Sequence, residues 1–124
     1  MSAAPATGGY ERRYGLEQLR IGDGTVEAQV PVSDAVRQPA GLVHGGLYAS
    51  LADTMCTAAT AAAAGRDASG LSSQTSFLRP ILDGTVHASG RARHRGRTTW
   101  VWEVDITDDA GRLCALVRMT VAVR

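Results

Sequence analysis

One stretch constrains this chain more than any other. Residues 45–64 run through twenty Ala-rich positions with a single charge, Asp53. That composition favours helix, and Gly65 stands where such a helix would stop. At 100° per residue, Leu47, Leu51, Met55 and Ala58 fall in one stripe about 80° wide, the ridge of a helix packed on a core. The opposite face carries Gly46, Ala49, Ser50, Asp53, Thr57, Thr60 and Ala64. A helix side turned to water normally bears several Lys, Glu or Arg residues. This one predicts cover on both sides, a sheet on one and another backbone on the other. Residues 47–65 do not make a membrane span: they are rich in Ala and Thr and hold Asp53, where about 20 uncharged apolar residues are needed.

The rest of the chain reads as strand and turn. Thr25–Val32 alternates, with Val26, Ala28 and Val30 on one side, after the turn signal Gly22-Asp23-Gly24. Ser33–Gly41 reads as loop, and Tyr10–Arg20 as an ambiguous segment with room for a short helical turn. Beyond the helix, Gly70–Arg79, Thr85–Arg95, Thr98–Thr107 and Leu113–Val123 are all strands by their patterning. Trp100, Trp102, Val104 and Ile106 share one face, and so do Leu113, Ala115, Val117, Met119, Val121 and Val123. Asp108-Asp109-Ala110-Gly111 is a hairpin turn. One long helix against an antiparallel sheet is an α+β architecture. At 124 residues the chain suffices for one domain, expected over residues 10–124 behind a disordered tail, residues 1–9.

Charge narrows the function. Thirteen basic residues, all Arg, against twelve acidic ones leave +1, too balanced for a general binder of nucleic acid or membrane surfaces. Cys56 and Cys114 have neither metal nor redox spacing, so two buried reduced thiols in a cytoplasmic protein are expected. The N-terminus lacks the charged and apolar regions of a signal peptide. His44, His87 and His94 show no zinc spacing, and no phosphate loop occurs; neither metal nor cofactor is expected. The chemistry-bearing segment is Leu42-Val43-His44-Gly45-Gly46, which runs straight into the helix. A glycine pair at a helix start lets a ligand approach the exposed N–H groups, where the positive end of the helix dipole suits a developing negative charge. Asp53 follows two turns later, and Thr57 shares its face. A lone carboxylate in an uncharged helix is costly unless it has a task.

The run Val43-His44-Gly45-Gly46-Leu47-Tyr48-Ala49-Ser50-Leu51-Ala52-Asp53 closely resembles the hotdog-fold acyl-CoA thioesterases of the phenylacetate-degradation (PaaI-like) type. The likeness extends through Phe77-Leu78-Arg79-Pro80, Gly96-Arg97-Thr98 and the Asp109-Ala110-Gly111-Arg112 hairpin, about residues 15–123 in all. It implies a long central helix wrapped by a five- to six-stranded antiparallel sheet. It also implies homo-oligomers, dimers or tetramers, with active sites at the dimer interface. By the same resemblance Asp53 matches the catalytic acid, nucleophile or general base, and the Gly45 N–H matches the donor that polarises the thioester carbonyl. Gln38 matches an amide near the thioester or the attacking water, Thr57 a hydroxyl that positions that water, and His44 a residue shaping the helix entrance. Gly46, with Ser72 and Ser73 on the following strand, is a candidate for substrate contact.

Arg91, Arg93, Arg95 and Arg97 stand at alternate positions, hence on one strand face. They read either as a solvated face or, with Arg97 and Thr98 foremost, as contacts for the phosphates of an acyl-CoA substrate. Two other functions fit the same residues: a non-catalytic acyl-CoA-binding protein, and an enoyl-CoA hydratase or dehydratase using a His44–Asp53 pair.

Overall fold

The computed structural model describes residues 2–4 and 8–124. Its elements are β1 (Ser2–Ala4), α1 (Gly9–Tyr14), β2 (Glu17–Ile21), β3 (Thr25–Pro31), α2 (Gly45–Ala64), β4 (Ala68–Phe77), β5 (Thr85–Arg95), β6 (Thr99–Thr107) and β7 (Leu113–Val123), with a 3₁₀ turn at Asp34–Val36. The strands form one antiparallel sheet in the order β1-β2-β3-β5-β6-β7-β4. The chain leaves β3 in the interior of the sheet, crosses the inner face as α2, and returns at the opposite edge as β4. Strands β5, β6 and β7 then fill the gap. The result is the α+β arrangement expected, a long helix held by six main strands, with Ser2–Ala4 added at the rim. Of the expected tail, Met1 and residues 5–7 lie outside the described residues; Ser2–Ala4 pairs with β2, and Gly9 opens α1.

Local patterning explains most of this. The inner face of the sheet buries Val26, Val30, Val86, Trp102, Val104, Ile106, Val117 and Val121, all without measurable exposure. Against them α2 presents Leu47, Leu51, Met55 and Ala59. Each buried aliphatic or aromatic side chain contributes roughly 1.5–3 kcal/mol. Gly65 ends the helix in the left-handed region, as its sequence position predicts. Gly24 and Gly111 take φ of +73° and +79°, a conformation that favours glycine at tight turns. The Arg112 N–H, then its guanidinium, holds the Asp108 carboxyl below the usual range and fixes the β6–β7 turn. Cys56 and Cys114 are free and buried, and burial pushes both thiols up.

Four local expectations need correction, three of them at irregularities in the ladder. Strand β2 arises where the sequence looked ambiguous, because a register shift between Glu17 and Arg20, with Gln18 at φ +53°, breaks the period of two. Leu113 is exposed, not aligned with Ala115: a shift between Ile106 and Thr107 puts Cys114 inward with Ala115. A third shift, between Ala92 and His94, turns Arg95 to the opposite face from Arg91. Arg91 and Arg93 lie along Glu103 at 3.6 and 3.4 Å, whereas Arg95 covers the Trp100 ring at 4.6 Å and reaches Asp23 at 2.8 Å. Finally, Thr60 is fully buried against the chain's own sheet and does not lie with Asp53 on the small polar face. Its hydroxyl donates to the Cys56 carbonyl at 2.7 Å and accepts from the Trp102 indole N–H at 2.9 Å. On that face Gly46 and Asp53 are exposed and Ser50 and Thr57 half-buried, with Asp53 standing against Gly70 of the edge strand β4.

Candidate active site

The N-terminus of α2 is built for one free donor. The four leading N–H groups of a helix lack intrahelical partners, and here three are satisfied, the first by the His44 N–H donating to the Val36 carbonyl at 2.8 Å. The Gly46 N–H donates to His44 Nδ1 at 2.8 Å, and the Leu47 N–H to the His44 carbonyl at 3.0 Å. His44 is therefore the N-cap, and an accepting Nδ1 places the proton of the neutral ring on Nε2. The Gly45 N–H has no acceptor among the described residues. It opens on a cavity of about 490 Å³ lined by Gln38, Leu42, Val43, Tyr48, Phe77 and Pro80, among others. Gly46, by contrast, spends its N–H on the cap and has none left for a substrate.

The cavity wall is apolar with a few polar fixtures. Gln38 Oε1 accepts from the Ala40 N–H within its own loop, which leaves the amide NH₂ group as donor. Tyr48 and Phe77 meet at 6.3 Å with a 39° tilt. Burial, then Cys114, pushes the Tyr48 phenol up to about 12, so it stays neutral near pH 7 and cannot act as a base. The Phe77 ring lies directly over Gly45, where a Cβ would fall 2.5 Å from its Cε1. The φ of Gly45 lies outside the left-handed range, so what favours glycine here is the close approach of the ring and not the backbone conformation.

Asp53 lines a second cavity, about 330 Å³, together with Ser50, Gly70, Leu71, Ser72, Ser73 and Met119. The Thr57 hydroxyl donates to Asp53 Oδ1 at 3.2 Å. Helix α1 flanks this side of α2, where Tyr10 meets Ser50 at 2.6 Å and the Tyr14 hydroxyl donates to Thr54 at 3.3 Å. Eight residues of helix, about 12 Å of axis, separate Gly45 from Asp53. The structure thus groups Gly45 and Gln38 in one cavity and Asp53, Thr57, Ser72 and Ser73 around another. Arg97 and Thr98 join neither. Arg66 donates to the Arg97 carbonyl at 2.8 Å, which ties that turn to the far end of a helix about 30 Å long. Sequence reading passed over Tyr48 and Phe77 as cavity wall; an aromatic beside a glycine-opened helix start was the available signal.

The cap yields a direct prediction. His44→Ala is expected to cost about 1 kcal/mol, read as a fall in Tm of about 4 °C by calorimetry. His44→Asn, which can accept the same N–H, should hold Tm near the parent value.

Known proteins share this fold. Residues 40–115 match the thioesterase superfamily. The proofreading thioesterase EntH of Cronobacter turicensis is 34% identical over 122 residues, 97% of this chain and 89% of its own length. A thioesterase from Haemophilus influenzae superposes with a TM-score of 0.87 at 32% identity, over 93% of this chain and 82% of that one. A glutamine-to-alanine variant of a thioesterase from Staphylococcus aureus gives 0.88 at 30% identity, over 93% and 98%. The glutamate-to-alanine variant of that same protein also superposes at 0.88. A long helix crossing an antiparallel sheet and these relatives converge: this chain belongs to the thioesterase superfamily, in its hotdog fold.

Proposed function

We propose that the chain is an acyl-CoA thioesterase of the phenylacetate-degradation type, acting on aryl- or medium-chain acyl-CoA, whose active site is completed by a second copy of itself. The observation that carries this reading is the separation of the two halves of the chemistry. A carbonyl must lie about 3 Å from both its oxyanion donor and its attacking group. Within one chain Gly45 and Asp53 open on different cavities, and both lie along the side of α2 that faces the edge strand β4, Gly45 under Phe77 and Asp53 against Gly70. A second molecule packed along that edge can bring its Asp53 to the first molecule's Gly45. The ten-residue edge strand β4, with Leu71 and Phe77 exposed, adds a second reason for a partner, since long apolar edges invite pairing.

In this assembly the thioester oxygen accepts from the Gly45 N–H at the positive end of α2, and the Gln38 amide lies beside the reacting carbon. The partner's Asp53 takes a proton from water as water attacks, or attacks directly to give an anhydride that water then opens. Either way the C–S bond breaks and the CoA thiolate leaves. Thr57 orients the carboxylate. Support also comes from the Staphylococcus aureus relative: the glutamine and glutamate replaced there stand fifteen residues apart, as Gln38 and Asp53 do here. The reaction calls for neither metal nor cofactor, and a cytoplasmic setting would supply the substrate. Arg97 remains the CoA-phosphate candidate, since Arg91, Arg93 and Arg95 already have carboxylate partners.

Release of free thiol from a panel of aryl- and medium-chain acyl-CoA esters tests the activity; a panel left unhydrolysed refutes it. A shared site makes a sharper prediction. Mixed dimers of Asp53→Asn and Gln38→Ala, each impaired alone, should recover activity because one of their two sites is intact. Stable mixed dimers with no recovery would place all the groups within one chain.

A further inference from the structure

We propose that Gly70 is a positioning residue for catalysis: the missing side chain at this point of β4 leaves the space in which the Asp53 carboxylate is held. This rests on the reading of Asp53 as the acid. A glycine inside a strand weakens it and commonly marks a bulge or a close approach, and Gly70 does both. The pairing of β4 with β7 shifts between Gly70 and Ser72, so Leu71 is the extra residue. Its φ is not in the left-handed range, and the backbone would accept any side chain. What forbids one is space. A Cβ at Gly70 would fall 2.9 Å from Asp53 Oδ1 and 3.7 Å from its Cγ, with Met119 Cε at 3.3 Å. The crowded oxygen is the one that accepts from Thr57 at 3.2 Å. A methyl there displaces the carboxylate from its hydroxyl partner and from its aim, while the Gly45 cavity is left alone.

The expected signature is a split between turnover and binding. Gly70→Ala should fold, keep KM within about threefold, and lose kcat by about 10- to 100-fold, the scale of a misplacement near 1 Å. A double-mutant cycle separates this from a general disturbance of the strand. In an Asp53→Ala background the carboxylate is gone and only the flexible end of Met119 is left to give way, so adding Gly70→Ala should leave the residual rate unchanged. If Gly70→Ala alone fails to fold, the double variant should fold, because its carboxylate no longer meets the methyl. A kcat within about threefold of the parent, the same proportional loss in the Asp53→Ala background, or a double variant that also fails to fold would each overturn the proposal. Asp53→Ala retaining parental activity would overturn the acid assignment and this inference together. An inactive Asp53→Ala with additive losses would overturn the inference alone.

Discussion

Asp53→Asn is expected to fold as the parent does and to lose about 10²–10⁴-fold in kcat. The exchange is nearly isosteric and leaves an oxygen to accept from Thr57. It removes only charge and basicity, the two properties that water activation or direct attack requires. KM should hold, because Gln38, Gly45, Tyr48 and Phe77, which line the other cavity, are untouched. Stability should change little, since Asp53 is exposed in the single chain, and Asn can even help where a partner desolvates the site. Steady-state kinetics on the best-hydrolysed acyl-CoA, with Tm measured in parallel, checks both halves. Activity within about threefold of the parent would refute the assignment and move the chain toward acyl-CoA binding without hydrolysis.

The second large effect lies in the core, at the clasp between α2 and β6. Trp102 has no measurable exposure and stacks with Trp100 at 6.0 Å, and its indole N–H ends on Thr60. Trp102→Ala should cost about 3–5 kcal/mol, a large part of the 5–15 kcal/mol available to a typical domain. Thr60→Val is the finer probe. It keeps the volume but strands the indole donor, at a cost of about 1–3 kcal/mol, whereas Thr60→Ser retains the hydroxyl and should cost less. Urea unfolding at a fixed protein concentration, so that assembly does not shift the midpoint, should rank the parent above Thr60→Ser, Thr60→Val and Trp102→Ala. Thr60→Val unfolding at the parental midpoint would show that the clasp contributes nothing.

What could be read from the sequence was whatever repeats along the chain. The helix at 45–64, its Leu47–Leu51–Met55 ridge and its Gly65 stop follow from a period of 3.6, and the Trp100–Ile106 face follows from a period of two. The isolation of Asp53 was equally visible, because a single carboxylate among small and apolar neighbours is a local fact. Thr60 resisted the same treatment. On a helical wheel it belongs with the polar face, but a tryptophan forty-two residues later decides its burial. Leu113 and Arg95 were misplaced for a shared reason. An extra residue in a ladder inverts every side chain beyond it, and nothing in the alternation announces where that occurs.

The sequence by itself therefore determined the α+β class, the core-facing ridge of the main helix and the candidates for chemistry, since each follows from composition or spacing along the chain. Tertiary structure alone decided their grouping. It spent the Gly46 N–H on His44 and left that of Gly45 without an acceptor among the described residues. It set Gly70 against Asp53 across the crossover from α2 to β4, carried Arg97 to the far end of the helix, and parted Gly45 from Asp53 into two cavities. These outcomes turn on contacts between segments far apart in the chain, whose register is fixed by bulges and by a helix crossing the whole sheet. No single segment's pattern encodes them.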